Sequence, residues 1–293
     1  MGIICAAIGL VSRSFFVSQI ACNKGINAAP HNGCSCCADT GWSRRSFLVF
    51  GASALALGSP LPVAASERGA LLEPSLTLSL ASDQNRIVAL TLDACSGGCD
   101  FKLLEALIAS SVPATLFLTA RWIKLNPEGL RLIHDHPNLF AIGNHGAQHV
   151  AAVLGTSAFF GVRTAGDLEA IKLEVIEGAN AIHHATGVDP KWYRGATALY
   201  SPPAIPLIQS LGFSIAGFSL NADEGASLPA STVAERMKRA RHGDVIIAHM
   251  NQPHRPSGAG VIAGIRALLD QGVTFTKLEN TTPVLALLDR RYL

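Results

Sequence analysis

His145 and His149 stand four residues apart in Gly143-Asn144-His145-Gly146-Ala147-Gln148-His149, directly after the apolar run Leu139 to Ile142. Imidazoles at that spacing share one face of a helical turn. A short strand giving way to one such turn aims both rings at a single point. Two His plus one carboxylate, with a fourth position left to water, is a recurring catalytic zinc arrangement. An arbitrary pair of this spacing more often decorates a surface turn, so the reading depends on what else the chain brings to the same place. The candidates are Asp93, Arg194, Asn221 with Asp223, and His249.

Each of these ends, or lies just beyond, an apolar β-rich run. Ile87 to Asp93, Pro113 to Thr119, Leu139 to Gly143, Trp192 to Arg194, Phe213 to Leu220, Val245 to His249 and Val273 to Leu278 read as strands. Between them lie helical patterns: Phe101 to Ser111, Asn126 to His136, Gly166 to Thr186, Pro202 to Leu211, a helix opened by a Thr232-x-x-Glu235 capping box, and Gly260 to Leu269. Residues before Asn85 show no such pattern and read as a loose segment. Seven strands alternating with about six helices predict an α/β fold, a distorted barrel of about seven parallel strands. Such folds gather the C-terminal ends of their strands on one face, where chemistry sits.

The chain has 293 residues, 49% hydrophobic and 15% charged. Ser43-Arg44-Arg45-Ser46-Phe47-Leu48 opens an uncharged stretch that ends in Val63-Ala64-Ala65-Ser66, the pattern of a twin-arginine export signal with small residues at the cleavage position. Gly51, Gly58, Pro60 and Pro62 break the run well short of the roughly 20 apolar residues a span requires. Residues 1–65 are therefore read as an N-terminal extension with its signal peptide, and 66–293 as the barrel domain without a membrane span. The expected location is the periplasm or beyond the cell.

Without Arg13, Lys24, Arg44, Arg45 and Asp39 of that leader, the domain keeps 19 basic and 20 acidic residues and no basic stripe, which argues against a nucleic-acid partner. Of seven cysteines, Cys95 and Cys99 fall in the domain, where an oxidising compartment would allow a small-loop disulfide or simple burial. Trp122 and Trp192 read as core residues before sugar platforms.

The order Thr91-Leu92-Asp93, then Gly143-Asn144-His145-x-x-x-His149, then Arg194, then Asp223, then Ile247-Ala248-His249 resembles the polysaccharide deacetylases of the NodB-homology type, carbohydrate esterase family 4. The resemblance spans roughly residues 85 to 280. It implies that Asp93 is the general base, His145 and His149 bind a divalent metal such as Zn2+, and His249 is the general acid. Arg194 would hold the base, Asp223 would orient His249, and Ile247 would line the pocket for the acetyl methyl group. The implied activity is removal of N-acetyl or O-acetyl groups from a cell-envelope or extracellular polysaccharide or oligosaccharide.

Four departures stand out. Position 94, where the family carries a second, metal-binding aspartate, is Ala94, which leaves Asp93, Asp100 or water to complete the ligand set. An Asp before a helix is also a natural cap. Gly146 replaces the usual Ser or Thr, Gly195-Ala196 replaces Pro-Pro, and Asn221-Ala-Asp-Glu-Gly225 replaces the usual acidic pair and Trp. Two alternatives follow: a catalytically silent carbohydrate-binding domain, or a hydrolase of another carbon-nitrogen bond in a small amide.

Overall fold

The computed structural model describes residues 70–80 and 86–290. Their elements are β1 Leu71–Leu78, β2 Ile87–Ala94, α1 Phe101–Ala109, β3 Ala114–Leu118, α2 Ala120–Leu125, α3 Pro127–His134 and β4 Phe140–Asn144. Then come β5 Ala151–Leu154, β6 Ala158–Phe159, β7 Val162–Gly166, α4 Leu168–Thr186, β8 Trp192–Tyr193, α5 Ala204–Ser210, β9 Ser214–Ile215 and β10 Leu220–Asn221. The chain continues with α6 Ala230–Lys238, β11 Val245–His249, α7 Ser257–Asp270, β12 Thr274–Thr276 and β13 Pro283–Arg290. The extension and export signal assigned to residues 1–65 lie outside the described residues.

Seven parallel strands among the described residues run in the order β10-β11-β2-β3-β4-β8-β9, and β12 pairs with the first residues of β2. This is the α/β barrel expected from the alternation of strands and helices, left open between β9 and β10. The central strands are buried on both faces, as crossover helices require. Val88, Leu90, Leu92 and Ala94 of β2 pack outward with Leu103, Leu104 and Leu107 of α1 and Val261, Ile265 and Leu268 of α7 in one core. Alternation then turns Ala89, Thr91 and Asp93 to the barrel interior.

Three expectations are corrected. The segment before Asn85 is not loose: β1 pairs antiparallel with β13 from Leu71↔Arg290 to Leu78↔Pro283. It also lies along the barrel opening, where Phe218 N–H donates to Pro74 O at 3.4 Å and Leu78 N–H to Gly243 O at 2.8 Å. Gly217 permits that approach, because a Cβ there would sit 2.1 Å from Pro74 O.

The second correction is the run Phe213 to Leu220, which divides into β9 and β10. The carbonyls of Ala216 and Gly217 are taken by Arg194 and leave the ladder. The third is α6, which begins at Ala230 with Pro229 as its N-cap residue, so Thr232 lies inside the helix and opens no capping box. The sequence pattern also does not reveal the small sheet β5-β7-β6, whose strands are two to five residues long.

Candidate metal and catalytic centre

The strand registers carry the candidate residues to one rim. His249 is paired with Asp93, Leu118 with Asn144, and Asn144 with Tyr193, so β11, β2, β4 and β8 all deliver their last residues to the same face. There a cleft of about 860 Å³ is lined by Asp93, Cys95, His145, His149, Ile247 and His249 among others.

The His pair does not ride on a helical turn. It lies in a loop after β4 in which Gly146 has φ +87° and His149 φ +61°. A positive φ at a non-glycine residue is costly and persists where surrounding contacts enforce it. Here the enforcers are Asn144 and Glu174. Asn144 donates from Nδ2 to Val175 O at 2.8 Å and accepts Gly146 N–H at 2.8 Å, which ties the loop to α4. Glu174, buried on the inner side of α4, accepts the backbone N–H of Gln148 at 2.9 Å and that of Val150 at 3.2 Å. Its Oε1 would lie 2.3 Å from a Cβ at position 146. A side chain at position 146 would therefore collide with Glu174 where it stands, and Gly146 leaves it room.

Burial raises the Glu174 pKa, and the backbone donors of the loop oppose that rise. Glu174→Ala should therefore loosen both rings and lower metal affinity by about 10–100-fold, the range for loss of a residue supporting a ligand. A competition titration with a chromophoric chelator would measure this, and unchanged affinity would remove Glu174 from the site.

His145 is 1% exposed, and its Nδ1 lies 2.6 Å from Arg194 O. A carbonyl only accepts, so Nδ1 carries a proton and Nε2, on the cleft side, is the atom that would meet a metal. The His149 ring is 5.0 Å away between centroids. The third side chain to converge is Cys95: Sγ is 3.4 Å from His145 Nε2, and the ligand atoms of Cys95, His145 and His149 all lie within 4.8 Å of one another. An ion bound at about 2.0–2.3 Å suits such a group, and two imidazoles with a thiolate are donors zinc favours. Burial would push the Cys95 thiol up, but the three imidazoles of His145, His149 and His249 outweigh it and hold the thiol well below its ordinary value.

Asp100 does not reach the cleft. It caps α1, accepting Leu103 N–H at 3.1 Å. Neither cysteine is in a disulfide: Cys95 and Cys99 are both free thiols among the described residues, Cys99 lying against Gly129 in the core.

Asp93 is 3% exposed and is held by Arg194, whose Nη1 donates to Oδ1 at 2.7 Å. Its Oδ2 lies 3.8 Å from His145 Nε2. Burial alone would raise the Asp93 pKa, but the charges of Arg194, His145 and His249 reverse that and keep it ionised. Arg194 is fully buried in the barrel interior. Nη1 also donates to Thr91 Oγ1 at 2.9 Å, Nη2 to Gly217 O at 2.9 Å and Nε to Ala216 O at 3.3 Å, and the guanidinium lies 4.3 Å over the Phe117 ring. This fork geometry and ring stacking are what arginine offers and lysine does not.

Across the cleft, the fully buried Asp223 grips His249 twice: Oδ2 accepts its backbone N–H at 2.8 Å, and Oδ1 lies 2.9 Å from Nδ1. Burial would lower the His249 pKa, and Asp223 overrides it, holding the ring protonated well above the usual range. Glu224, the other acid of this segment, pairs with Arg236 at 2.7 Å instead. Ile247 lines the cleft beside His249, whereas Trp122 is fully buried, donating Nε1–H to Gly98 O. In place of the Pro-Pro pair, Gly195 donates its N–H to Tyr200 Oη at 2.7 Å, and Thr197 and Ala198 take positive φ on the cleft wall.

The sequence reading missed Cys95 and Glu174. The signal for Cys95 was strand alternation, which puts Thr91, Asp93 and residue 95 on one face and Ala94 in the outer core. For Glu174 it was a carboxylate within the Ile171, Val175, Ile182 stripe.

The Polysaccharide deacetylase family model matches residues 81–216, so Asp223 and His249 lie beyond the matched segment. No curated protein matches the chain. Among solved structures, the chain is similar to the Bc1960 peptidoglycan N-acetylglucosamine deacetylase, with 20% identity, TM-score 0.56 and coverage of 68% of this chain and 88% of that one. A family 4 carbohydrate esterase from Streptomyces lividans, solved with acetate, is 19% identical at TM-score 0.53 over 65% and 92% of the two chains. A family 4 pseudoenzyme from Bacillus anthracis is 18% identical at TM-score 0.54 over 68% and 66%. At these identities the structures establish a shared fold, the one seen in family 4 carbohydrate esterases, and the Polysaccharide deacetylase match covers the half of it that carries Asp93, His145, His149 and Arg194.

Proposed function

We propose that this chain is a metal-dependent hydrolase that removes acetyl groups, as amides or as esters, from a cell-envelope or extracellular polysaccharide reached by twin-arginine export. The observation that carries the reading is the convergence of an ionised Asp93, a protonated His249 and the ligand atoms of His145 and His149 on one cleft from separate strand ends.

A divalent metal held by His145 and His149 would polarise the acetyl carbonyl and make water a competent nucleophile near neutral pH. Asp93, kept anionic by Arg194, accepts the proton of the attacking water. His249, kept cationic by Asp223, delivers a proton to the departing amine or alkoxide. Ile247 supplies an apolar wall for the methyl group. The cleft volume, about 860 Å³, suits a short stretch of glycan over a lone acetate.

A second reading, a silent carbohydrate-binding domain, is favoured by Ala94 and by the altered third motif. The two separate on one experiment: acetate release by the full-length protein from N-acetylated oligosaccharides and acetylated xylan, before and after chelation. Release that chelation stops and added metal restores is expected. Glycan binding without any acetate release, in protein shown to contain metal, would instead establish the silent domain.

A further inference from the structure

We propose that the Cys95 thiolate is the third protein ligand, making this a site of two imidazoles and one thiolate in which a soft donor replaces the missing carboxylate of position 94. The proposal rests on the metal-dependent reading above and adds the identity of the ligand and the metal preference it imposes.

Three observations lead to it. First, Ala94 is buried in the outer core with Leu118 and Trp122, so no side chain at 94 enters the cleft in this chain. Second, residue 95 falls on the same face as Asp93, and its Sγ lies 3.4 Å from His145 Nε2 within the group of three donor atoms. Third, the backbone that presents it is fixed: Thr119 donates its N–H to Ala94 O at 3.3 Å and its hydroxyl to Cys95 O. Asn251 Nδ2 donates to Ser96 O one residue further on.

Asp93 is the competing donor. Its Oδ1 is committed to Arg194 and it falls outside the convergent group, which frees it for proton transfer. The second thiol of the domain, Cys99, is in the core and offers Cys95 no disulfide. A thiolate carries the same single negative charge as the carboxylate it replaces, so the charge of the ligand set is unchanged while its softness rises. Thiolate donors favour zinc, cobalt and related ions over manganese and magnesium, which prefer oxygen.

The test uses the full-length protein, stripped of metal and reconstituted with Co2+ under reducing, anaerobic conditions. Bound cobalt should show a sulfur-to-cobalt charge-transfer band in the near ultraviolet. Cys95→Asp should bind cobalt without the band. Cys95→Ala should lose the band and bind more than about tenfold more weakly, since losing a ligand costs at least as much as losing its support. Cys99→Ser should keep the band in full, and Zn2+ should quench it at far lower concentration than Mn2+. Both Cys95 variants retain the other six thiols of the chain, so those cannot account for a lost band.

Cobalt uptake without the band, or a band that persists in Cys95→Ala, would overturn the thiolate ligand and leave the metal-dependent reading standing. A folded protein that takes up no cobalt or zinc would overturn both.

Discussion

Asp93→Asn should reduce acetate release by about 10²–10⁴-fold, the range attributed to a positioned general base, while metal content stays at the wild-type level. The asparagine oxygen can still accept from Arg194 Nη1, so the barrel interior keeps its packing and the loss is one of proton acceptance. The surroundings of the carboxylate prepare it to act as a base. Burial opposes its ionisation, but Arg194 at 2.7 Å and the imidazoles of His145 and His249 reverse the balance. Turnover and metal stoichiometry measured on the same preparation separate base from ligand. If the variant lost its metal along with its activity, Asp93 would be a ligand and the role of Cys95 would have to be reconsidered.

The largest effect on stability is expected at Arg194. Arg194→Met removes one partner of a fully buried pair and leaves the Asp93 charge uncompensated, a change that costs about 3–5 kcal/mol. It also strips the donors from the carbonyls of Ala216 and Gly217, which left the sheet ladder to meet them. Urea unfolding of the metal-free proteins should show this loss at neutral pH.

The pH dependence has a definite sign. The folded-state pKa of Asp93 is depressed below its ordinary 3.8, so the stability it contributes is present above that value and lost as pH falls through the lower folded value. In the variant, burial acts without Arg194 and pushes the carboxyl upward, so acidification neutralises a charge that destabilises it. The gap between wild type and Arg194→Met is therefore widest near neutrality and narrows as the solution is acidified toward and below pH 3.8. A gap independent of pH would mean that lost packing and not the ion pair sets the cost.

Much of this was determined by the sequence alone. Strand and helix periodicities placed β2, β3, β4 and β11 closely, because strands buried on both faces read as continuous apolar runs with sharp polar ends. The same polar ends identified Asp93, His145, His149, Arg194, Asp223 and His249 as residues for one rim, since parallel strands share a direction and hence a C-terminal face. What one dimension withheld were relations between segments distant along the chain. The seam strand β1 finds its partner more than 200 residues away in β13, and an isolated edge strand has too weak a pattern to announce itself. The break between β9 and β10 depends on where the Arg194 guanidinium ends. Glu174 shapes the His loop from α4, a separate helix that begins only at Leu168. Between Asp100 and Cys95 as the neighbour of the two imidazoles, spacing offered no decision. The capping geometry of α1 and the pleat of β2 made it, because a carboxylate bound to a helix N-terminus cannot also enter the cleft, and the residue after Ala94 faces it.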